Sequence, residues 1–293
     1  MAASTARLPF TSRQLSLVWL GLLPFFLFAF AFLIAPAASL LIGSFRDSQG
    51  ALTFQNFIDL STPSIRNAYW LSIRVSAVTA VVGGAFGFLL AYAVTQAGLP
   101  AWVRTGLITF CGVASNFAGV PLAFAFIRVL GRAGVISQAL KNDAGVDIYQ
   151  LGFNLYSFAG LSLTYFYFQF PLMVLIMAPA LDGLKREWRE ASANLGATAI
   201  QYWRLIALPI LMPSILGTMI LLFGNAFGAY ATAFALTGGS LNLVTIQIGA
   251  QMRGDVLHNP GLGYAMALGM VAIMGGALGL YVWLQRISER WLR

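Results

Sequence analysis

The sequence predicts an all-α, polytopic membrane protein with six transmembrane helices, and three observations carry that prediction. Of the 293 residues, 59% are hydrophobic and only 9% are charged, against about 25% charged in an ordinary soluble domain. Mean hydropathy is +0.80, so part of this chain's solvent must be lipid. Six apolar segments, 16–44, 67–95, 104–131, 153–181, 205–236 and 263–286, are long enough to cross a bilayer, since about 20 helical residues span a ~30 Å hydrocarbon core.

Backbone groups in lipid must be satisfied within their own segment, so these spans are helices. Long unbroken apolar runs argue against a barrel, whose strands alternate over about ten residues. The first span follows Arg7 and Arg13, which superficially suits a signal peptide. Its apolar run continues to about Leu41, well beyond an h-region of about 7–15 residues. It reads as a retained helix behind a short cytoplasmic segment, 1–15. Residues 16–293 show no internal repeat or low-complexity tract and are expected to form one transmembrane domain.

Orientation follows from Lys and Arg placement. With the N-terminus cytoplasmic, ten fall inside: Arg7, Arg13, Arg104, Lys185, Arg186, Arg189, Arg204, Arg286, Arg290 and Arg293. Seven fall on the other side or its adjoining helix ends: Arg46, Arg66, Arg74, Arg128, Arg132, Lys141 and Arg253. This bias places both termini and the loop 182–204 in the cytoplasm. The external loops, 45–66, 132–152 and 237–262, are longer than the internal turn at Leu99-Pro100. Loop 132–152 carries Lys141, Asp143 and Asp147 and reads as solvated. Within 237–262, LNLVTIQIG is a short helix or strand before a turn at His258-Asn259-Pro260-Gly261.

Several chemistries are excluded. The net charge of +8 comes without a basic run or stacking motif, so nucleic acid is not expected. The single Cys111 precludes an intrachain disulfide. One His and no Cys/His cluster make a conventional metal site unexpected. A phosphate-binding loop needs Gly-Lys before Ser or Thr, but Lys141 follows Leu140 and Lys185 follows Leu184. All nine acidic residues lie in loops or near helix ends, so neither a paired-aspartate protease nor an intramembrane proton carrier is indicated. The chain is not read as an enzyme, and its energy source is expected elsewhere.

The loop 182–204 and its continuation to Pro213 read as two short helices joined at Gly196. Leu184, Trp188, Ala191 and Leu195 recur at helical spacing and predict one apolar stripe. Arg186 and Glu190 lie four apart, available to each other or to a partner. Ala191, Ser192, Ala193, Gly196 and Ala197 are small enough for close approach of another protein. Pro209 is expected near the start of the fifth span, where a missing N–H is tolerated. Composition alone serves an amphipathic surface helix equally well.

The spacing Glu190-Ala191-Ser192, three residues, Gly196, nine residues, Ile206-Ala207-Leu208-Pro209 resembles the EAA signature of binding-protein-dependent ABC importer permeases. Ser192 stands where the family has a second Ala, a small-for-small change. Six spans with the signature between the fourth and fifth resemble the family's MetI-like fold. The resemblance implies a coupling helix, Glu190 to Gly196 flanked by Arg186 and Arg189, docking in a groove of a separate ATPase. It further implies two ATPase subunits carrying ATP and Mg, a second permease of different sequence, and a periplasmic or lipid-anchored solute-binding protein. This chain would hold no cofactor and lie in the bacterial inner membrane. The alternative is a self-sufficient secondary transporter or channel.

Solute contacts are sought among polar residues of the spans: Asn116, Tyr165, Tyr167, Gln169, Asn225 and Tyr230. Each equally suits interhelical hydrogen bonding or an interfacial aromatic. Arg74 and Arg128 snorkel or attract an anion. The chain resembles permeases of the polyamine, ferric-ion, thiamine and phosphonate importers, which implies a polyamine-type or organic anion, phosphonate-type solute.

Overall fold

The computed structural model describes residues 12–47, 49–253 and 258–290, with side chains from residue 21 to 286 within them. Most of the N-terminal segment 1–15 therefore lies outside, as do the side chains of Arg7, Arg13, Arg290 and Arg293. Among the described residues the regular elements are all helices, joined by turns and loops, with an isolated bridge between Arg46 and Leu52.

In chain order the helices are α1 (Ser12–Ala29), α2 (Ala35–Ser44), α3 (Gln55–Asp59), α4 (Pro63–Gln96), α5 (Ala101–Asn116), α6 (Val120–Leu130) and α7 (Val135–Asp143). They continue as α8 (Phe158–Asp182), α9 (Arg186–Asn194), α10 (Ala199–Tyr202), α11 (Leu208–Phe227), α12 (Ala231–Thr237), α13 (Val244–Arg253) and α14 (Pro260–Arg290). Six helical stretches are long and apolar enough to cross a membrane: Gly21–Ser44, Pro63–Gln96, Val120–Asp143, Phe158–Asp182, Ala199–Phe227 and Pro260–Arg286. The stretch written as either helix or strand forms helix α13.

Two expected spans are not single helices. The expected span 104–131 breaks between α5 and α6, where Gly119 adopts φ +77°, and the third qualifying stretch begins only at Val120. The expected span 205–236 breaks between α11 and α12 at residues 228–230. Both breaks are held by side chains: the Gly119 N–H donates to Thr232 Oγ1 at 2.7 Å, and the Tyr165 hydroxyl donates to the Ala229 carbonyl at 2.7 Å. Backbone groups freed at membrane depth are tolerated where such partners exist.

Pro209 falls in the first turn of α11, as expected, but the helical run does not begin there. It sits inside the run Ala199–Phe227, just after a π turn at Trp203–Ala207 in which the Leu208 N–H reaches the Trp203 carbonyl. The first span repeats the device, with a π turn at Phe30–Ile34 and the Ala35 N–H on the Phe30 carbonyl, before Pro36. A proline ring clashes with the carbonyl four residues back. Widening the preceding turn to i→i+5 bonding relieves that clash without ending the helix.

The core centres on α4 against α8, with α5, α11 and α14 around them. Gly83 and Gly87 allow this approach: a Cβ at Gly87 would lie 2.4 Å from the Phe170 carbonyl oxygen, and one at Gly83 would lie 2.9 Å from Gln169 Cβ. Lipid supplies no hydrophobic drive between helices, so such close backbone packing carries the association. One apolar cluster, including Val75, Leu161, Phe168 and Leu236, packs around the two breaks; another, including Cys111, Met177 and Leu211, lies toward the C-terminal end of α8. The first span stands apart, touching α14 through α2, where Gly43 lies against the Tyr264 ring.

Candidate functional site

At the C-terminal end of α8 the chain leaves the bundle, forms α9, turns, and re-enters through α10. Arg104 and Asp182 form an ion pair that ties the start of α5 to the end of α8 and anchors the departure point. Helix α9 has Glu187 in its first turn, which suits the positive end of the helix dipole. Arg186 Nε lies 2.8 Å from Glu190 Oε1, with the two side chains 90% and 60% exposed. Such an exposed pair contributes about 0.3–0.5 kcal/mol, so its cost of exchange for an outside partner is small.

The expected stripe of Leu184, Trp188, Ala191 and Leu195 does not pack as one surface. Leu184 and Trp188 are half-buried, whereas Ala191 is exposed and Leu195 is 89% exposed. The buried residue of α9 is Ser192, one turn beyond Trp188. Its hydroxyl donates to the Arg189 carbonyl at 2.8 Å, so the polar atom that distinguishes it from Ala is satisfied within its own helix. Position 192 is buried and favours a small residue for that reason.

Gly196 ends α9 in a left-handed conformation, φ +76°. The Ala197 N–H donates to the Ser192 carbonyl at 3.0 Å and the Gly196 N–H to the Ala193 carbonyl at 2.9 Å. These are the two bonds of a Schellman stop, whose left-handed residue favours glycine. Two residues on, Thr198 and Gln201 form a reciprocal capping box, with bonds of 3.3 and 2.7 Å, that starts α10. The result is a short, doubly capped helix–turn–helix. Its tip presents Leu195 and Ile200, the latter 79% exposed. Ile200 escaped notice in the sequence because it lies in the unspecified nine-residue spacer of the signature; its apolar character next to a cap was the available signal.

Between α9 and the end of α4 lies a cleft of about 580 Å³, lined by Tyr92, Gln96, Lys185, Arg189, Glu190 and Trp203 among others. Trp203 packs edge-on against Tyr92, with ring centroids 5.1 Å apart, and Lys185 lies over the Trp188 ring at 5.8 Å.

The polar residues considered as solute contacts divide in two. Tyr165 and Gln169 are buried, Tyr165 bonded to Ala229 and Gln169 Nε2 donating to Thr79 Oγ1 at 2.8 Å. Tyr167 lies edge-on to Phe117 and Phe126 beside the first break. Asn116 and Asn225 are exposed at the helix ends preceding the two breaks. Tyr230 stacks on Phe234 and lines a cavity of about 320 Å³ with Thr245, Gly249 and Arg253. Arg74 lies over the Phe158 ring at 5.3 Å, and Arg128 is exposed in the last turn of α6. The structure thus gathers Asn116, Tyr167 and Tyr230 around the breaks, while Arg74 packs on Phe158 and Arg128 is exposed.

Residues 83–293 match the family described as "Binding-protein-dependent transport system inner membrane component". The chain belongs to this family. It is 25% identical over 242 residues to the probable sulfate transport system permease protein cysT of Nephroselmis olivacea, covering 81% of this chain and 78% of that one. It is also 25% identical over 225 residues to the thiamine transport system permease protein ThiP of Escherichia coli, covering 77% of this chain but 39% of ThiP. Against the sulfate permease CysT of Salmonella typhimurium, 27% identical, the chain spans 61% of the relative's length. Among solved structures, a bacterial ABC transporter importing alginate superposes with a TM-score of 0.72 at 17% identity, covering 95% of this chain and 96% of that one. The MetNI methionine transporter in an inward-facing form gives 0.53 at 16% identity, over 78% and 99%. This binding-protein-dependent permease is therefore a multi-pass, all-α membrane component of an ABC importer with the MetI-like fold.

Proposed function

We propose that the permease forms half of a translocation pathway and is driven through the turn between α9 and α10. The observation that carries this reading is the coincidence of the EAA spacing with an exposed, doubly capped helix–turn–helix outside the bundle. Glu190, Ala191, Ser192, Gly196, Arg186 and Arg189 belong to that element; Glu190 and the arginines supply charged contacts, and Leu195 and Ile200 supply apolar ones. Two ATPase subunits hold the ATP and Mg and move the turn as they close. A second permease, of different sequence, completes the pathway, and an extracytoplasmic binding protein delivers the solute. Both termini and the α9–α10 turn face the cytoplasm of a bacterial inner membrane.

Asn116, Tyr167, Asn225 and Tyr230, around the two helix breaks, line the solute's route, since broken helices present polar backbone and side chains at transporter pathways. Tyr165 and Gln169 support that wall from within, and Arg74 flanks it. Of the solute chemistries considered, an anion fits better than a polyamine: the permease carries Arg74 and Arg128 in its spans, and relatives are named for sulfate transport.

Reconstitution tests the reading. Proteoliposomes holding the permease with its ATPase, second permease and binding protein should take up solute only with ATP. Gly196→Asp should leave the permease in the membrane while abolishing uptake. Uptake by the permease alone, without ATPase, would instead identify a secondary transporter or channel.

A further inference from the structure

At the end of α8 opposite the α9–α10 turn, α7 and the segment 147–150 enclose a cavity of about 360 Å³, lined by Arg132, Ser137, Lys141, Asp147, Tyr149 and Gln150. Ser137 is only 5% exposed, yet its hydroxyl has no hydrogen-bond partner. The buried hydroxyls of Ser76, Thr79 and Thr164 instead donate to a carbonyl four residues back along a helix, and among the described residues Ser162 has the other buried hydroxyl without a partner. Ser137 lies in the first turn of α7, where the helix offers no such carbonyl. Its proton is left for an acceptor from outside the chain.

The charges around it select that acceptor. Arg132 lies 5.5 Å from the centre of the Tyr149 ring, and Tyr149 is itself fixed by donating to the Leu130 carbonyl at 2.8 Å. A guanidinium stacked on a ring keeps its edge N–H donors available. Lys141, one turn along α7 from Ser137, lies 3.2 Å from Asp147 Oδ2, and an ammonium has further donors. The other Asp147 oxygen already accepts the Tyr149 N–H at 3.0 Å. With two cations against one committed carboxylate, the cavity keeps a net positive charge. The start of α7, at Gly134, carries no side-chain cap, which adds the positive end of a helix.

We infer that this cavity binds a tetrahedral oxyanion, a phosphoryl or sulfuryl group. Arg132 and Lys141 neutralise its charge and the Ser137 hydroxyl donates to one of its oxygens. The inference does not depend on the coupling role of α9. The group belongs either to a free anion or to the headgroup of an anionic phospholipid, for which the exposed Val135 and Ile136 beside the site offer apolar contact.

The test uses the full-length permease in maltoside micelles, titrated calorimetrically with inorganic sulfate and phosphate, and native mass spectrometry after adding phosphatidylglycerol. Binding is expected in at least one arm: the titration identifies a free anion, and lipid retention alone identifies a headgroup. Arg132→Gln should weaken it roughly tenfold or more and Ser137→Ala by roughly threefold or more, the range for hydrogen bonds to charged groups. Ser137→Ala removes only an unpartnered hydroxyl, so melting without ligand should be unchanged or raised. Absence of binding in both arms, or equal binding by the parent and both variants, would overturn the inference.

Discussion

Gly196 and Ser192 carry different burdens although they lie four residues apart in one signature. Gly196 is required by backbone conformation, at φ +76° with no atom near a Cβ placed there. A β-branched residue in the left-handed region costs about 1–2 kcal/mol, whereas Asn tolerates it. Gly196→Val should therefore weaken ATPase association measurably in a pull-down of the detergent-solubilised importer, while Gly196→Asn should retain most of it. Ser192 is required by space, because it is the buried residue of α9. Ser192→Ala should change melting by less than about 0.5 kcal/mol, the ordinary range for a change that leaves no orphan group. Ser192→Leu should displace α9 and lower ATP-driven uptake.

Helix pairs and helix breaks set the next scale. The α4–α8 contact depends on Gly87, where any side chain meets the Phe170 carbonyl and Met173. Overpacking costs typically about 1–3 kcal/mol, and more is expected against backbone. Gly87→Leu should sharply lower the yield of folded permease, read by size-exclusion chromatography in detergent. At the second break, Tyr165→Phe removes the bond to the Ala229 carbonyl and leaves that part-buried acceptor without the tyrosine. The cost should be about 1–3 kcal/mol, and hydrogen exchange should rise at residues 228–232. The two π turns belong to this scale as well, since Pro36 and Pro209 are accommodated by the turns before them.

Across the whole molecule, the proposed coupling element and the proposed solute route lie apart. The α9–α10 turn lies at the C-terminal end of α8, and both helix breaks lie nearer its other end, where Tyr165 meets Ala229. Sidedness is open to a direct check, because the single native Cys111 is buried. Asn194→Cys should react with a membrane-impermeant maleimide in inside-out vesicles, and Asn142→Cys in right-side-out ones. The reverse pattern would invert the proposed topology.

By itself, the sequence determined the solvent, the helical class, the number of apolar stretches and the spaced signature with its expected fold family. Those properties follow from composition, run length and local spacing, which no distant contact alters. Only the tertiary structure decided where the helices break and which polar side chains remain free. An apolar run such as 104–131 looks continuous because Phe117, Ala118 and Gly119 suit a membrane as well as a helix; the break exists because Thr232, more than a hundred residues away, accepts the Gly119 N–H. Tyr165 and Gln169 are polar residues of a span by sequence; only the packed bundle shows them buried and bonded to Ala229 and Thr79. The stripe on α9 fails likewise: helical spacing places residues on one face, but the bundle chooses which face it covers, and it covers Ser192.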